Sequence, residues 1–510
     1  MNGSVTRYLF CSLFLLPLTL GLAQNLKDLT SEDVLLAMRK SSDYMAGMVS
    51  CNGGYLWYYA EDFSERQGEA PARESQIMVQ GGTPEMGHLF LDMFDATGDR
   101  AYLEYAKKAA DALIYGQHKL GGWHYFIDFD PQGLETYYEE VSSQFVRGME
   151  EYRHYYGNCT YDDNATQGAT AYLLRVYKTT LLPEYLAPLK KALDFILISQ
   201  YPNGGWPQRY PLRYEFVHDG FPDYTSMYTL NDDAMSNTIN VLLDAYEQLG
   251  DERYLEAARR GGDFFMIAQG PQGQAGWAEQ YDMNLQPCWA RTHEPPSYMP
   301  RQTLNTIHTL EQLYLFTGDR RYLRPIPAAL DWLEKSGLKV LDDGSFEAAR
   351  LYEPGTNLPI KVDLLEERNE KGYHMYDFYA VDTEAYLKAR ANSANSDHPV
   401  IRQVQGGAYT YNLEPVIAQY EKIKAASVEQ RTALYNELFR PRKRKIKIPT
   451  SGEVAEILNA MNDQGTWIED VKIWDYTPGQ LVEGRKTIRG ISVGTYIQHM
   501  SLFMKYVSKN

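Results

Sequence analysis

Apolar residues return with helical spacing through most of this chain. From Asp233 onward, Met235, Ile239, Leu242, Leu243 and Tyr246 fall at offsets 0, 4, 7, 8 and 11, one stripe of a helix. The next stretch places Leu255, Ala258, Gly262 and Phe265 at offsets 0, 3, 7 and 10, a partner helix. Ile307, Leu310 and Tyr314, followed by a stripe from Leu323 to Leu333, predict another pair. The polar punctuation is as regular as the stripes. Thr97-Gly98-Asp99, Leu249-Gly250-Asp251 and Thr317-Gly318-Asp319 each read as a helix stop followed by a start. Glycine takes the left-handed position after the last turn, and aspartate caps the next helix. A worn copy, Leu182-Pro183-Glu184-Tyr185-Leu186, fills the gap between the first two.

Each pair is followed by two small residues and an aromatic. The copies are Gly53-Gly54-Tyr55, Gly121-Gly122-Trp123, Gly204-Gly205-Trp206, Ala275-Gly276-Trp277 and Gly344-Ser345-Phe346, with aromatic-to-aromatic steps of 68, 83, 71 and 69 residues. A unit of about 70 residues is therefore repeated: inner helix, tight turn, outer helix, and a longer loop back. The prediction is an all-α chain, an (α/α) toroid. No alternating pattern is long enough for a central sheet, and no phosphate-binding glycine motif is present. Every Gly–aromatic turn then lies at the same end of the ring, so residues distant in sequence meet on one surface.

Residues 1–23 read as a secretory signal: Arg7, an apolar run over 8–20, and the small-residue site Gly21-Leu22-Ala23. This predicts a secreted or periplasmic protein with no integral membrane segment. The repeats occupy 24–392, including a helix over 382–392. The rhythm weakens over 393–510, where helices at 453–461 and 496–507 flank Gly465-Thr466-Trp467 and complete the toroid or pack on it. Past the signal, Cys51, Cys159 and Cys288 are widely spaced and odd in number, which excludes a disulfide framework and a CxxC zinc site. The net charge of −17 argues against nucleic acid as a partner, and the basic run at 440–447 reads as a solvated edge. With 41 tyrosines and 8 tryptophans the chain is suited to carbohydrate, although most of these rings fill helix interfaces. His88, His218 and His293 lack partners at metal spacing and read as structural. Gly490-Ile491-Ser492-Val493-Gly494 spells the hydrolase nucleophile pattern but lacks a parallel-sheet context.

Three loops of the middle repeats are dense in polar groups. They are Tyr201-Pro202-Asn203-Gly204-Gly205-Trp206-Pro207-Gln208-Arg209, Asn231-Asp232-Asp233-Ala234-Met235, and the run from Gly276 through Gln280-Tyr281-Asp282 to Arg291 and Ser297. Together with Ala349-Arg350-Leu351-Tyr352 and Thr356-Asn357-Leu358-Pro359, they resemble the pectic acid lyases, the pectate lyases of polysaccharide lyase family ten. The resemblance is strongest over 159–376, a lyase-like core at about 159–380. Asp163-Asn164-Ala165-Thr166 also resembles the way that family begins a helix.

The resemblance implies calcium-assisted β-elimination on an acidic, uronate-containing polysaccharide, with polygalacturonate first. Removing the C5 proton adds negative charge beside a carboxylate, so cations must gather there. Calcium takes oxygen ligands, which clustered aspartates provide. By similarity, Asp233 and Asp282 are the candidate metal ligands, with Asp232 beside them. Arg350 matches the family's arginine base, and Arg350 and Asp232 are the catalytic candidates. Trp206, Arg209, Asn231, Arg291 and Arg301 are the substrate-binding candidates, the last two as carboxylate clamps. The sequence departs from the family at Arg209, where an aromatic is usual, at Tyr281 in place of a histidine, and at Ala348-Ala349 before Arg350. Two other readings stay open. One is an inverting glycoside hydrolase using Asp233 with Glu279 or Glu347; the other is a non-catalytic glycan-binding protein.

Overall fold

A computed structural model describes residues 29–130, 132–144, 157–213, 217–218, 221–222, 224–291, 294–368, 374–394, 396, 399–407, 409–440, 447–475 and 484–508. The expected signal, His293 and most of the basic run lie outside them. The predicted helix pairs are present: Thr83–Thr97 with Arg100–Tyr115, Ala165–Thr180 with Pro183–Ile198, and Ala234–Leu249 with Glu252–Ala268. Their boundaries follow the punctuation. Gly98, Gly250 and Gly318 close helices at φ 72°, 69° and 77°. Asp99, Asp251 and Asp319 accept the backbone N–H of Ala101, Arg253 and Arg321. In the worn copy Leu181 takes the left-handed position at φ 56°, with its side chain 71% exposed. The fourth outer helix differs from expectation. After Pro300–Thr317 comes a 3-10 turn, Arg320–Leu323, and the helix starts only at Ile326–Lys335. Pro325 and Pro327 lie at that junction, where each removes a backbone donor.

The Gly–aromatic turns couple one repeat to the next. Each indole is buried and tied back to the end of its own outer helix: Trp123, Trp206 and Trp277 Nε1 donate to the carbonyls of Leu113, Ile196 and Phe265 at 2.8, 2.9 and 2.8 Å. The first glycine points the other way. Gly53, Gly121 and Gly204 sit at φ 89°, 119° and 97°, and a Cβ there would meet the backbone of Lys108, Lys191 and Arg260 at 2.6, 2.2 and 1.9 Å. Those three residues belong to the following outer helix, so only glycine allows the repeats to close up.

A sixth copy closes the ring. Trp467 Nε1 donates to Ile457 O at 2.8 Å, and a Cβ on Gly465 (φ 93°) would meet the Lys40 side chain at 2.9 Å. Lys40 lies on the first helix, Ser31–Tyr44, which packs on the last, Val493–Val507, with the Ser42 and Tyr496 hydroxyls 2.7 Å apart. The fold is an α/α toroid with its two chain ends joined.

Short strands cluster before the inner helices. Gln76–Met78 pairs with Phe126–Asp128, Cys159–Thr160 with Arg209–Tyr210, and Tyr228–Thr229 with Gln280–Tyr281, all antiparallel. Two longer hairpins were not anticipated. Ile360–Arg368 pairs with His374–Ala380. Glu469–Asp475 pairs with Gly484–Ser492, which also pairs with Tyr58–Ala60. Ser492 lies on this antiparallel strand, and its Oγ caps the last helix by accepting from Thr495 N. It is therefore not a nucleophile elbow. Cys51, Cys159 and Cys288 are free, and no described helix is long and apolar enough to cross a membrane.

Candidate active site

Two consecutive inner helices begin through the same unusual backbone. Asp163 and Asn164 have φ 49° and 63°; Asp232 and Asp233, each 69 positions later, have φ 48° and 57°. Left-handed pairs of this kind cost on the order of 1–3 kcal/mol per residue and persist where the surroundings over-determine them. Here the result is functional geometry: the turns at 162–164 and 231–233 pack on each other and bring their acids together.

Burial pushes the Asp163 carboxyl up to about 8, with repulsion from Asp162, Asp232 and Glu69 adding to it and Arg291 opposing it. Burial likewise pushes Asp232 up to about 6, with Asp162 and Glu294 adding and Arg291 and Arg301 opposing. Like charges held in a half-dry site raise one another. Sequence reasoning had not placed Asp162 and Asp163 in the site. The signal was available, because Asp162-Asp163-Asn164 aligns with Asn231-Asp232-Asp233 once the repeat register is applied.

Beside this cluster is a narrow cleft lined by Asn231, Glu279, Arg291, Glu294 and Arg350 among others. The Tyr228–Thr229 and Gln280–Tyr281 ladder positions it, and Leu230 and Asn231 N–H donate to Glu279 O at 2.8 and 3.1 Å. Burial pushes the Glu279 carboxyl up to about 7, against the pull of Arg350 and Arg301 and with repulsion from Glu294 and Asp232. The predicted residues Arg350, Asp232, Asn231, Arg291 and Arg301 thus converge. Arg301 is exposed in the first turn of its helix. Arg291 is engaged within its own loop: its Nε and Nη2 bind Glu294 at 3.1 and 2.8 Å.

Four expected residues have other contacts. Trp206 is 1% exposed and tied to Ile196, so it wedges the repeat turn and does not line a sugar groove. Arg209 is also 1% exposed, and its guanidinium contacts His124 and Tyr125 inside the protein. Asp282 turns Oδ1 onto the N–H groups of Asn284 and Gln286, closing its own loop. Asp233 Oδ1 accepts from Asn305 at 2.6 Å. Of the hydrolase acids, Glu347 is bound to Arg390 at 2.5 Å and does not line the cavity.

The chemistry of the donor set fits a hard cation. The donors are carboxylate oxygens, and Asp162 Oδ1 is buried without a hydrogen-bond partner. These acids approach one another without forming a ready cage: among the described residues no three acidic, histidine or cysteine side chains converge as ligands.

The pectic acid lyase family profile matches residues 136–403, more than half of the chain. Among solved structures, the chain is similar to a mutant of the family 10 polysaccharide lyase from Cellvibrio cellulosa in complex with trigalaturonic acid. Identity is 19%, the TM-score is 0.42, and 67% of this chain and 98% of that one are covered. It is also similar to the cellobiose 2-epimerase from Bacillus thermoamylovorans, at 14% identity and TM-score 0.42, covering 94% of this chain and 100% of that one. A search of curated proteins found no match.

Proposed function

Because this chain belongs to the pectic acid lyase family, and is a polysaccharide lyase, we propose that it cleaves a uronate-containing polysaccharide, polygalacturonate first, by calcium-assisted β-elimination. One observation carries the reading: acids and arginines from four repeats gather in and beside one cavity, which Glu279, Arg291 and Arg350 line. Asp163, Asp232 and Glu279 stand against Arg291, Arg301 and Arg350.

β-Elimination at a uronate needs compensation for the charge that grows on the C6 carboxylate as the C5 proton leaves. Arg301, exposed at a helix start, is placed to meet a carboxylate arriving from solvent. Arg350 takes the C5 proton, the role the family's arginine holds. That role is demanding, since guanidinium normally stays protonated. Burial holds the Glu279 carboxyl up at about 7, beside Arg350. Asp162, through its unsatisfied Oδ1, and Asp232 would contribute carboxylate oxygens to the calcium, which when bound supplies positive charge to the substrate carboxylate. The segment 1–23 supports secretion or export to the periplasm.

Digestion of polygalacturonate should release products with a conjugated double bond, read as rising ultraviolet absorbance, and a calcium chelator should stop it. Arg350→Ala should abolish the rise. Reducing ends without absorbance would favour hydrolysis instead, and full activity in Arg350→Ala would remove Arg350 from the base role.

A further inference from the structure

Arg209 is a full positive charge sealed inside the protein, a costly arrangement unless it is answered by hydrogen bonds. Two of its partners belong to a line. Nη1 lies 3.1 Å from His124 Nε2, and Nη2 donates to the Tyr125 hydroxyl at 3.3 Å. The guanidinium also sits over the Tyr125 ring, 5.2 Å from its centroid. Guanidinium only donates, so His124 Nε2 must be the bare acceptor. Nδ1 then carries the proton and donates to the Tyr138 hydroxyl at 2.7 Å. Burial, then Arg209, push the His124 imidazole well below its usual range, which keeps it in this neutral form.

On the other side, the Tyr125 oxygen accepts from Arg209, and its hydroxyl donates to Asp162 Oδ2. Asp162 is held from its backbone as well, its N–H donating to Thr160 Oγ1 at 3.0 Å, while Thr160 is the ladder partner of Arg209. One carboxylate oxygen is therefore fixed and the other, Oδ1, is buried without a partner beside Asp163 and Asp232.

We propose that Arg209, acting through Tyr125, is a positioning residue that locks Asp162 with Oδ1 turned into the acidic cluster as a cation ligand. The inference rests on the calcium reading above and goes beyond it. His124 and Tyr125 precede residue 136, so this support comes from the N-terminal repeat, outside the family match. It also gives Arg209 a purpose at a place where an aromatic was expected.

The test is calcium titration of the full chain by calorimetry, with unfolding followed separately in chelator. Groups that orient a metal ligand typically alter affinity by about 10- to 100-fold. Tyr125→Phe and Arg209→Met should each weaken calcium by about that factor, as should Asp162→Asn. The Tyr125→Phe/Arg209→Met double variant should be no weaker than the worse single, since both break one line. Tyr138→Phe, which leaves the Arg209–Tyr125–Asp162 line whole, should stay within about twofold. If Arg209→Met does not fold, Tyr125→Phe carries the test. Unchanged affinity in Tyr125→Phe, with wild type binding calcium and Asp162→Asn not, overturns the positioning role alone. An equal loss in Tyr138→Phe overturns it too, as general loosening. No calcium binding by the wild type overturns the calcium reading and this inference with it.

Discussion

Residues 161–164 and 230–233 lead into successive inner helices through one backbone shape, yet their side chains are permuted: Tyr-Asp-Asp-Asn against Leu-Asn-Asp-Asp. The central aspartate is shared, and in both copies burial raises it. The flanking positions diverge. At the second turn, the hydrogen bonds come from near the inner helices: Asn231 Nδ2 donates to Asp232 Oδ2 at 2.9 Å, and Asn305 serves Asp233. At the first, Asp162 is braced from the start of its own long connecting loop by Tyr125 and keeps one oxygen unsatisfied. The repeat has copied a strained frame, and the difference lies in where each copy finds its partners. Strain of this kind survives because packing fixes it, and it presents carboxylates that an ordinary helix cap would spend on its own N–H groups.

The comparison breaks most visibly in activity. Asp163→Asn and Asp232→Asn should each lower the rate of ultraviolet product formation by about 100-fold or more, if both central aspartates serve the cation. Asp233→Asn, already committed to Asn305, should cost less than about 10-fold. Equal losses at all three would erase the distinction between central and flanking acids.

pH separates the two helix starts next. Both central carboxyls keep a proton in the folded protein at pH values where the unfolded chain, near pH 4, has released it. Between about 4 and 8 the native state binds more protons, so stability in chelator falls as pH rises through that window. Asp163→Asn should flatten the fall across the whole window, up to about 8, and Asp232→Asn only the part below about 6. Thermal unfolding at a series of pH values reads both, and identical profiles for the two variants would contradict the assignment.

The smallest effect concerns the strain itself. Asn164→Gly relieves a left-handed residue and should stabilise the protein by about 1 kcal/mol. Asp233→Gly relieves the same strain but loses the Asn305 hydrogen bond, on the order of 1 kcal/mol, and should come out near zero. Denaturant midpoints at fixed pH distinguish them; a matching gain in both would mean that Asn305 contributes nothing.

Much of this was legible in the chain. The helices at 234–249 and 252–268 and the Gly-Asp punctuation follow from residues a few positions apart, and so they were read correctly. Arg350, Asn231, Arg291 and Asp232 were picked out by local motifs, and the fold gathers them. Trp206 and Arg209 were misplaced because a side chain's type does not say whether its turn faces inward. Trp206 is held by a carbonyl ten positions back, and Arg209 by His124 and Tyr125. The hairpin joining Ile360–Arg368 to His374–Ala380 escaped notice because its pairing, not a clean alternation, defines it.

The sequence by itself determined the repeating unit, the caps, the glycine turns and the lyase family, because each is set by short-range sterics or by a contiguous motif. Tertiary structure alone decided that the Gly465 turn docks on the first helix and that Asp162 and Asp163 join Asp232. It also decided that Arg209 reaches Asp162 through Tyr125. Those outcomes depend on ring closure and on ladders between neighbouring repeats, which bring together groups whose separation in the chain carries no trace of their contact.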